Sequence, residues 1–440
     1  MIRLHDTASG QVRELEMRDP GKVSIYHCGP TPYDVPHVGH GRNTLFYDVL
    51  HRYLEWRGLD VTLVSNVTDI EDKIIRRSIA EGRSCADVVA EFEAIHWSAM
   101  DRLGVLRPDH VPKATQYVEK MVAFIDELIG RGHAYETSDG VYFEVRTLPG
   151  YGLLARQPLD SLRAGARVEI DEDKREWFDF ALWKKAKPGE PTWESPWGPG
   201  RPGWHIECTV MSLDLLGDGF DLHTAGDDLT FPHHENERAQ AVGAGHAFSR
   251  HWTHHAMVEV EGQKMSKSLR NFTALTDLLD HTDARAYRLL TLRAHYKSPF
   301  DVSPDTLADA ESGLDRLDAF ARRFADVPAI PDPATVEKFR GFMDDDLKTP
   351  QAVAVIFDAV NAAHKGDERA AATVFELTGA VGLDLKRAPQ AVDAETQRQV
   401  AEMDDARQAR DFARADAIRA DLVSRGWVVE SGPSGTVVHR

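Results

Sequence analysis

Apolar positions fall along the chain in two rhythms. Residues 22–28 (KVSIYHC) form a short, mostly apolar run of the kind a buried strand shows, and a loop follows as far as residue 40. Leu45, Phe46, Val49, Leu50, Tyr53 and Leu54 then recur at three- and four-residue spacing, which predicts one face of a helix ended by Gly58. A second short apolar run, 61–64, comes within a few residues. Strand, helix and strand with short links predict a parallel pair joined by a right-handed crossover. Such sheets build their sites at the carboxyl ends of their strands, so residue 28 and the loop after it lie at the expected edge.

Helical spacing returns in Val88, Val89, Phe92, Ile95 and Leu103, and again in Met121, Val122, Ile125 and Leu128. Residues 135–145 read as a hairpin turning at Asp139-Gly140, and this region predicts an insertion between sheet halves. Residues 188–204 are dense in Pro, Gly and Trp and predict an ordered, irregular loop over a site. The sheet is expected to resume around 221–223 and 252–260. Beyond about residue 303 the pattern is helical, with Leu314, Leu317 and Phe320, a stretch from 342 to 363, Ala-rich helices over 402–424 and a last hairpin pairing 427–430 with 436–439. The expected class is α/β, a parallel-sheet domain with an insertion followed by a mostly α-helical C-terminal module.

Composition narrows the setting. At 440 residues the chain exceeds the roughly 250–300 at which single cores stop growing, so several domains are expected. No apolar run approaches the ~20 residues of a membrane span, and the opening MIRLHDTASG has no apolar segment of a signal peptide, so a cytoplasmic protein with no membrane partner is expected. Three cysteines, Cys28, Cys85 and Cys208, cannot make a disulfide framework and remain as free thiols or metal ligands, with Cys85 read as a small buried side chain. A net charge of −19 requires that any contact with RNA be local, a basic patch on an acidic body.

Three clusters carry candidate chemistry. His37-Val38-Gly39-His40 lies between the first strand and its helix, where a glycine admits close backbone approach and two imidazoles beside a helix N-terminus can donate to phosphate oxygens. Lys264-Met265-Ser266-Lys267-Ser268 makes a cationic loop able to stabilise charge on leaving phosphates. The third cluster is Cys28, Cys208 and the run from Phe231 to Glu237. On a helix, His233 and Glu237 project from one face, and two thiolates from elsewhere would complete a tetrahedral zinc site, although a plain helix-surface pair has the same spacing. A metalloprotease H-E-x-x-H is excluded, because Arg238 stands where the second His ligand belongs.

The HVGH and KMSKS pair is the double signature of class I aminoacyl-tRNA synthetases. The surrounding YHCGPTPYD (26–34), NVTDI (66–70), GWHIEC (203–208) and FPHHENE (231–237) resemble the cysteinyl-tRNA synthetase family from the first strand to the final hairpin. The resemblance implies an enzyme that activates L-cysteine with ATP and Mg2+ and loads it onto tRNA(Cys). It implies one Zn2+ on Cys28, Cys208, His233 and Glu237, and the amino acid among Thr68, Trp204, His223 and Asp228. His37, Gly39 and His40 would then line ATP, with Lys264 and Lys267 on its reacting phosphates. The implied organisation is a Rossmann-like catalytic half at 1–110, an inserted subdomain at 111–195, and a second catalytic half with the zinc ligands at 196–260. A connecting fold with KMSKS at 261–310, a helical bundle at 311–390 and an anticodon-contacting module at 391–440 complete it, in a monomer. Thr224-Ala225-Gly226-Asp227 departs from the glycine run the family usually carries there. The alternatives are a ligase passing cysteine to a small amino sugar, as in mycothiol synthesis, and a zinc-stabilised RNA-binding paralogue without activity.

Overall fold

The computed structural model describes residues 1–157, 174–260, 263–264, 273–325, 329–386, 393–432 and 435–439. Two compact units divide the chain, one made of Met1–Leu314 with Ala329–Asp384, the other of Asp315–Pro328 with Leu385–Arg440. The first unit opens with the antiparallel pair β1 (Arg3–Asp6) and β2 (Gln11–Glu14). The crossover expected from the hydrophobic pattern follows as β3 (Lys22–His27), α1 (Val38–Trp56) and β4 (Asp60–Ser65), with β3 and β4 parallel from Lys22 opposite Asp60 to His27 opposite Ser65. Next come α2 (Asp72–Glu81), α3 (Cys85–Arg102) and α4 (Val118–Gly130). Cys85 is half-buried rather than buried, because it is the first residue of α3, just past the Ser84 cap.

The insertion folds as an antiparallel sheet of β5 (Ala134–Glu136), β6 (Gly140–Phe143), β7 (Phe180–Lys185) and β8 (Gly200–Pro202). The Pro/Gly/Trp-rich stretch corrects the expectation of a loop over the site. Trp197 packs on Trp183 of β7 and Trp193 pairs through its backbone with Gly200, so the indoles belong to this sheet, and only Trp204 at the far end reaches the cavity. The parallel sheet then resumes with α5 (Trp204–Leu216), β9 (Leu222–Gly226), α6 (Glu235–Gly243) and β10 (His251–His255), in the order β10-β9-β3-β4. Residues 230–234 form a π turn ahead of α6, so the expected α-helix through His233 starts two residues later.

A small sheet of β11 (Val258–Val260), β12 (Gln263–Lys264) and β13 (Phe300–Asp301) follows, with α7 (Leu275–His281) and α8 (Ala284–Leu292) between its second and third strands. The helical region is α9 (Pro304–Arg323), α10 (Pro333–Asp344), α11 (Thr349–His364) and α12 (Glu368–Ala380). The single stretch expected from 342 to 363 is two helices. Asp346 and Leu347 take positive φ, and Pro350 in the first turn of α11 cannot continue a helix from before it. In the second unit α13 (Ala394–Gln408) and α14 (Phe412–Ser424) pack with the hairpin β14 (Val428–Gly432) and β15 (Gly435–His439) over Met403, Leu422, Trp427, Val429 and Val438. Among the described residues no helix is long and apolar enough to cross a membrane.

One buried ion pair ties α1 to its surroundings. Asp48 is sealed from solvent and accepts from Arg288 Nη1 of α8 at 2.5 Å, from Arg52 Nε at 3.0 Å and from the Leu106 backbone N–H at 2.7 Å. Arg288 gives its other nitrogen to the carbonyls of Leu103 and Gly104. Replacing Asp48 by Ala leaves that guanidinium buried without its counter-charge. Asp48→Ala is therefore expected to destabilise the first unit by about 3–5 kcal/mol, read as a lower midpoint in urea unfolding, and an unchanged midpoint would show that the pair contributes nothing.

Candidate functional site

The site begins where β3 ends. Gly29 passes so close to the chain leaving β4 that a Cβ there would lie 1.7 Å from the Asn66 carbonyl oxygen, so no side chain fits. The Gly29 N–H donates to Asn66 Oδ1 at 2.9 Å, and Asn66 Nδ2 donates to Thr68 Oγ1 at 3.2 Å. Two strand exits are thereby locked together, setting Cys28 and Thr68 on one edge. Cys28 N–H in turn donates to the Thr224 carbonyl at 3.2 Å, bringing β9 to the same edge.

Around Cys28 the other three predicted metal ligands converge. Its Sγ lies 3.9 Å from Cys208 Sγ on α5 and 3.7 Å from Glu237 Oε1 on α6, while His233 Nε2 stands 3.0 Å from that same oxygen. All four residues are buried. Burial pushes the thiols of Cys28 and Cys208 and the carboxyl of Glu237 up, and pushes His233 well down, so the cluster by itself favours neutral groups. A second overlapping set, Cys28, His223, His234 and Glu237, is equally close-set.

Above the cluster opens a cavity of about 320 Å3 that also touches Thr68, Trp204 and Asp228. His37 caps α1, and its ring lies 3.8 Å from that of His40 at a 30° tilt, while the His37 N–H donates to His40 Nδ1 at 3.0 Å. Both rings and Gly39 line the same cavity. Trp204 is 40% exposed and stacks on His233, centroids 4.2 Å apart, so a flat indole forms the wall beside the cluster. His223, by contrast, is fully buried and bonds Glu237 Oε2 at 2.9 Å, on the side of the carboxylate away from His233. Lys264 is placed by its backbone, opposite Glu259 in the β11–β12 pair, and Lys267 lies outside the described residues.

Two segments match family models, residues 14–312 the class I (C) tRNA synthetase catalytic domain and residues 338–404 the DALR domain. Over the whole chain it is 44% identical to the cysteine–tRNA ligase of Chromobacterium violaceum and 45% identical to that of Alkalilimnicola ehrlichii, each covered end to end. The chain belongs to the cysteine–tRNA ligase family. Among solved structures, Mycobacterium tuberculosis methionyl-tRNA synthetase in complex with methionyl-adenylate superposes with a TM-score of 0.62 over 82% of this chain and 89% of that one, at 16% identity, which shows the shared class I fold. Full-length relatives and the DALR match favour a tRNA ligase over a ligase for a small amino sugar.

Sequence reasoning missed how this family member surrounds the Cys28 cluster with further imidazoles. His234 Nε2 lies 3.2 Å from Cys28 Sγ and its Nδ1 shares a hydrogen bond with His254 Nε2 at 2.8 Å, while His205 and His233 meet through Nδ1 atoms at 2.8 Å. Farther along, His255 Nε2 donates to Asn43 Oδ1 at 2.7 Å, and Asn43 Nδ2 donates to His27 Nε2 at 2.8 Å. Burial lowers every one of these histidines, His205 and His255 to about 3. The only signal was density, HH at 233–234 and HWTHH at 251–255.

Because the clash at Gly29 is with backbone, Gly29→Ala is expected to part the two strand exits. Cysteine-dependent ATP–pyrophosphate exchange should fall by about 100-fold, the cost of an ångström-scale misplacement, with a lowered thermal midpoint. Wild-type exchange in that variant would mean the edge is not as rigid as its geometry.

Proposed function

We propose that the cavity joins L-cysteine to ATP and then passes the cysteinyl group to the 3′ end of tRNA(Cys), with a zinc ion on Cys28, Cys208, His233 and Glu237 selecting the thiolate. The observation that carries this reading is that Cys28, Cys208 and His233, close-set with the Glu237 carboxyl, line one cavity with the His37–His40 pair. The donor set suits zinc. Bonds of about 2.0–2.3 Å in a tetrahedron put ligand atoms roughly 3.3–3.8 Å apart, and the separations from Cys28 Sγ, 3.9 and 3.7 Å, need little adjustment. Two thiols and a carboxyl forced toward neutrality by burial are groups that a cation would let ionise. Were a metal held on Nε2, His233 would keep Nδ1–H for His205, the outer bond that fixes a ligating imidazole.

Zinc would supply a soft electrophilic contact for the cysteine thiolate that the harder serine hydroxyl matches poorly. The protein's residues supply the rest. Thr68, Trp204 and Asp228 surround the amino acid, and His223 acts from behind by orienting Glu237. His37, Gly39 and His40 receive the ATP phosphates at the start of α1, where backbone N–H groups favour anions. Lys264 and Lys267 stabilise charge on the departing pyrophosphate, with Mg2+ accompanying ATP. The cysteine carboxylate attacks the α-phosphorus and displaces pyrophosphate, and the terminal ribose hydroxyl then attacks the activated carbonyl and displaces AMP, so no protein nucleophile is needed. Residues 1–110 and 196–260 form the catalytic halves of this reading, 111–195 the inserted subdomain, 261–310 the connecting fold, 311–390 the helical bundle and 391–440 the part meeting the anticodon. The enzyme acts as a cytoplasmic monomer.

In the zinc-replete protein, cysteine should drive ATP–pyrophosphate exchange and labelled cysteine should pass to total tRNA. Exchange without transfer to tRNA would point instead to a small-amine acceptor, and no exchange would sink the reading. Cys208→Ser and His233→Ala should each bring bound zinc below one per chain by elemental analysis and raise the KM for cysteine more than that for ATP. Full zinc in both variants would remove these residues from the ligand set. Discrimination against serine should need no hydrolysis, so release of serine from mischarged tRNA at a meaningful rate would contradict the zinc account.

A further inference from the structure

Arg42 lies two residues beyond His40 on α1 and belongs to neither signature. Its side chain is 2% exposed, yet its hydrogen bonds go to carbonyls and not to a carboxylate: Nη2 donates to Tyr296 O at 2.7 Å and to Ser298 O at 2.9 Å, and the guanidinium sits 4.5 Å above the ring of Phe300. Nε and Nη1 are buried without a hydrogen-bond partner among the described residues. Burial lowers this guanidinium to about 10, still charged at neutral pH. Filling the same volume with a methionine or leucine would avoid desolvating a charge. What those residues lack is a planar fork that can hold two carbonyls while stacking on an aromatic face.

The groups that Arg42 grips lead to the lysine loop. Tyr296 O also accepts from the backbone N–H of Ala256 at 2.9 Å, the residue directly after β10. Phe300 begins β13, which runs parallel to β11 with Phe300 opposite Val258, and β11 pairs antiparallel with β12, placing Glu259 opposite Lys264. The next residue of α1, Asn43, holds the last residue of β10 through His255. Two successive side chains of α1 therefore clasp the chain on both sides of the turn by which it leaves the catalytic sheet and enters the strands that deliver Lys264. Arg42 also lines the main cavity.

We propose that Arg42 is a positioning residue that holds the β11–β12–β13 sheet, and with it Lys264, in register with the His37–His40 pair at the start of α1, so that both signatures meet one ATP. This rests on the reading that those residues serve the ATP phosphates. The test is a double-mutant cycle in the full-length, zinc-replete enzyme, reading cysteine-dependent ATP–pyrophosphate exchange, cysteine binding and zinc content for Arg42→Met, Arg42→Lys, Lys264→Ala and Arg42→Met with Lys264→Ala. Arg42→Met should lower kcat of exchange by about 100-fold with zinc content and cysteine affinity unchanged. In the Lys264→Ala background the same change should cost less than about threefold, because the residue being positioned is gone. Arg42→Lys, which keeps the charge and loses the fork, should fall between Arg42→Met and wild type, and it carries the same cycle if Arg42→Met does not fold. Additive losses, or loss of cysteine binding together with kcat, would overturn the positioning role. Lys264→Ala with undiminished exchange would sink the phosphate reading itself, whatever Arg42 does.

Discussion

Polar groups buried together must satisfy one another, and at the carboxyl edge of this parallel sheet that requirement governs everything near it. Glu237, with no exposure, is approached by His233 on one oxygen and His223 on the other, and both thiols lie alongside. A carboxyl, two thiols and at least four imidazoles taken from water in one place are stable only while every element that brings them keeps its position. The edge is accordingly built from close backbone approaches, with Gly29 against Asn66 and Cys28 N–H on the Thr224 carbonyl. The same demand explains why β9 and β10, reading LHTAG and HWTHH, are buried strands without an apolar pattern.

Helix α1 is the second organising element, because it serves the site and the scaffold at once. Its first turn presents His37 and His40 to the cavity, Asn43 holds the end of β10 through His255, Arg42 grips the Tyr296 and Ser298 carbonyls just before β13, and Asp48 anchors it to α8 through Arg288. Toward its end, Tyr53 gives its hydroxyl to Asp344 of α10 at 2.5 Å. One helix thus links the cavity, the end of β10 and the helical region of the first unit. The catalysis by positioning proposed for this cavity depends on rigidity of this kind.

Much of this was legible beforehand, for identifiable reasons. The first crossover could be read because a fully buried parallel strand is a short apolar run and α1 keeps a clean helical spacing. The candidate metal ligands were proposed from the cysteinyl-tRNA synthetase resemblance, and the structure brings Cys28, Cys208, His233 and Glu237 into one buried cluster from the exit of β3, a turn and two helices. Where local patterning was asked to do more, it slipped. The stretch 188–204 read as an ordered loop over a site because Pro and Gly disfavour regular structure, but Trp193 and Trp197 belong to the sheet of the insertion and only Trp204 reaches the cavity. The stretch from 342 to 363 looked continuous because its apolar spacing survives a break at Asp346 and Leu347.

The sequence by itself determined the class of fold, the order of its elements and the identity of the chemical groups, because these follow from local periodicity and from motifs whose residues are near neighbours in the chain. Only the tertiary structure decided which polar side chains face one another. It placed His223 on the side of Glu237 away from His233, joined His234 to His254 and His27 to His255 through Asn43, and turned Arg42 toward two carbonyls and a phenyl ring. Those pairings span from 14 residues, between His223 and Glu237, to 258, between Arg42 and Phe300. No periodicity carries information over such separations, and what selects the pairings is the cost of leaving a buried donor or acceptor unmatched.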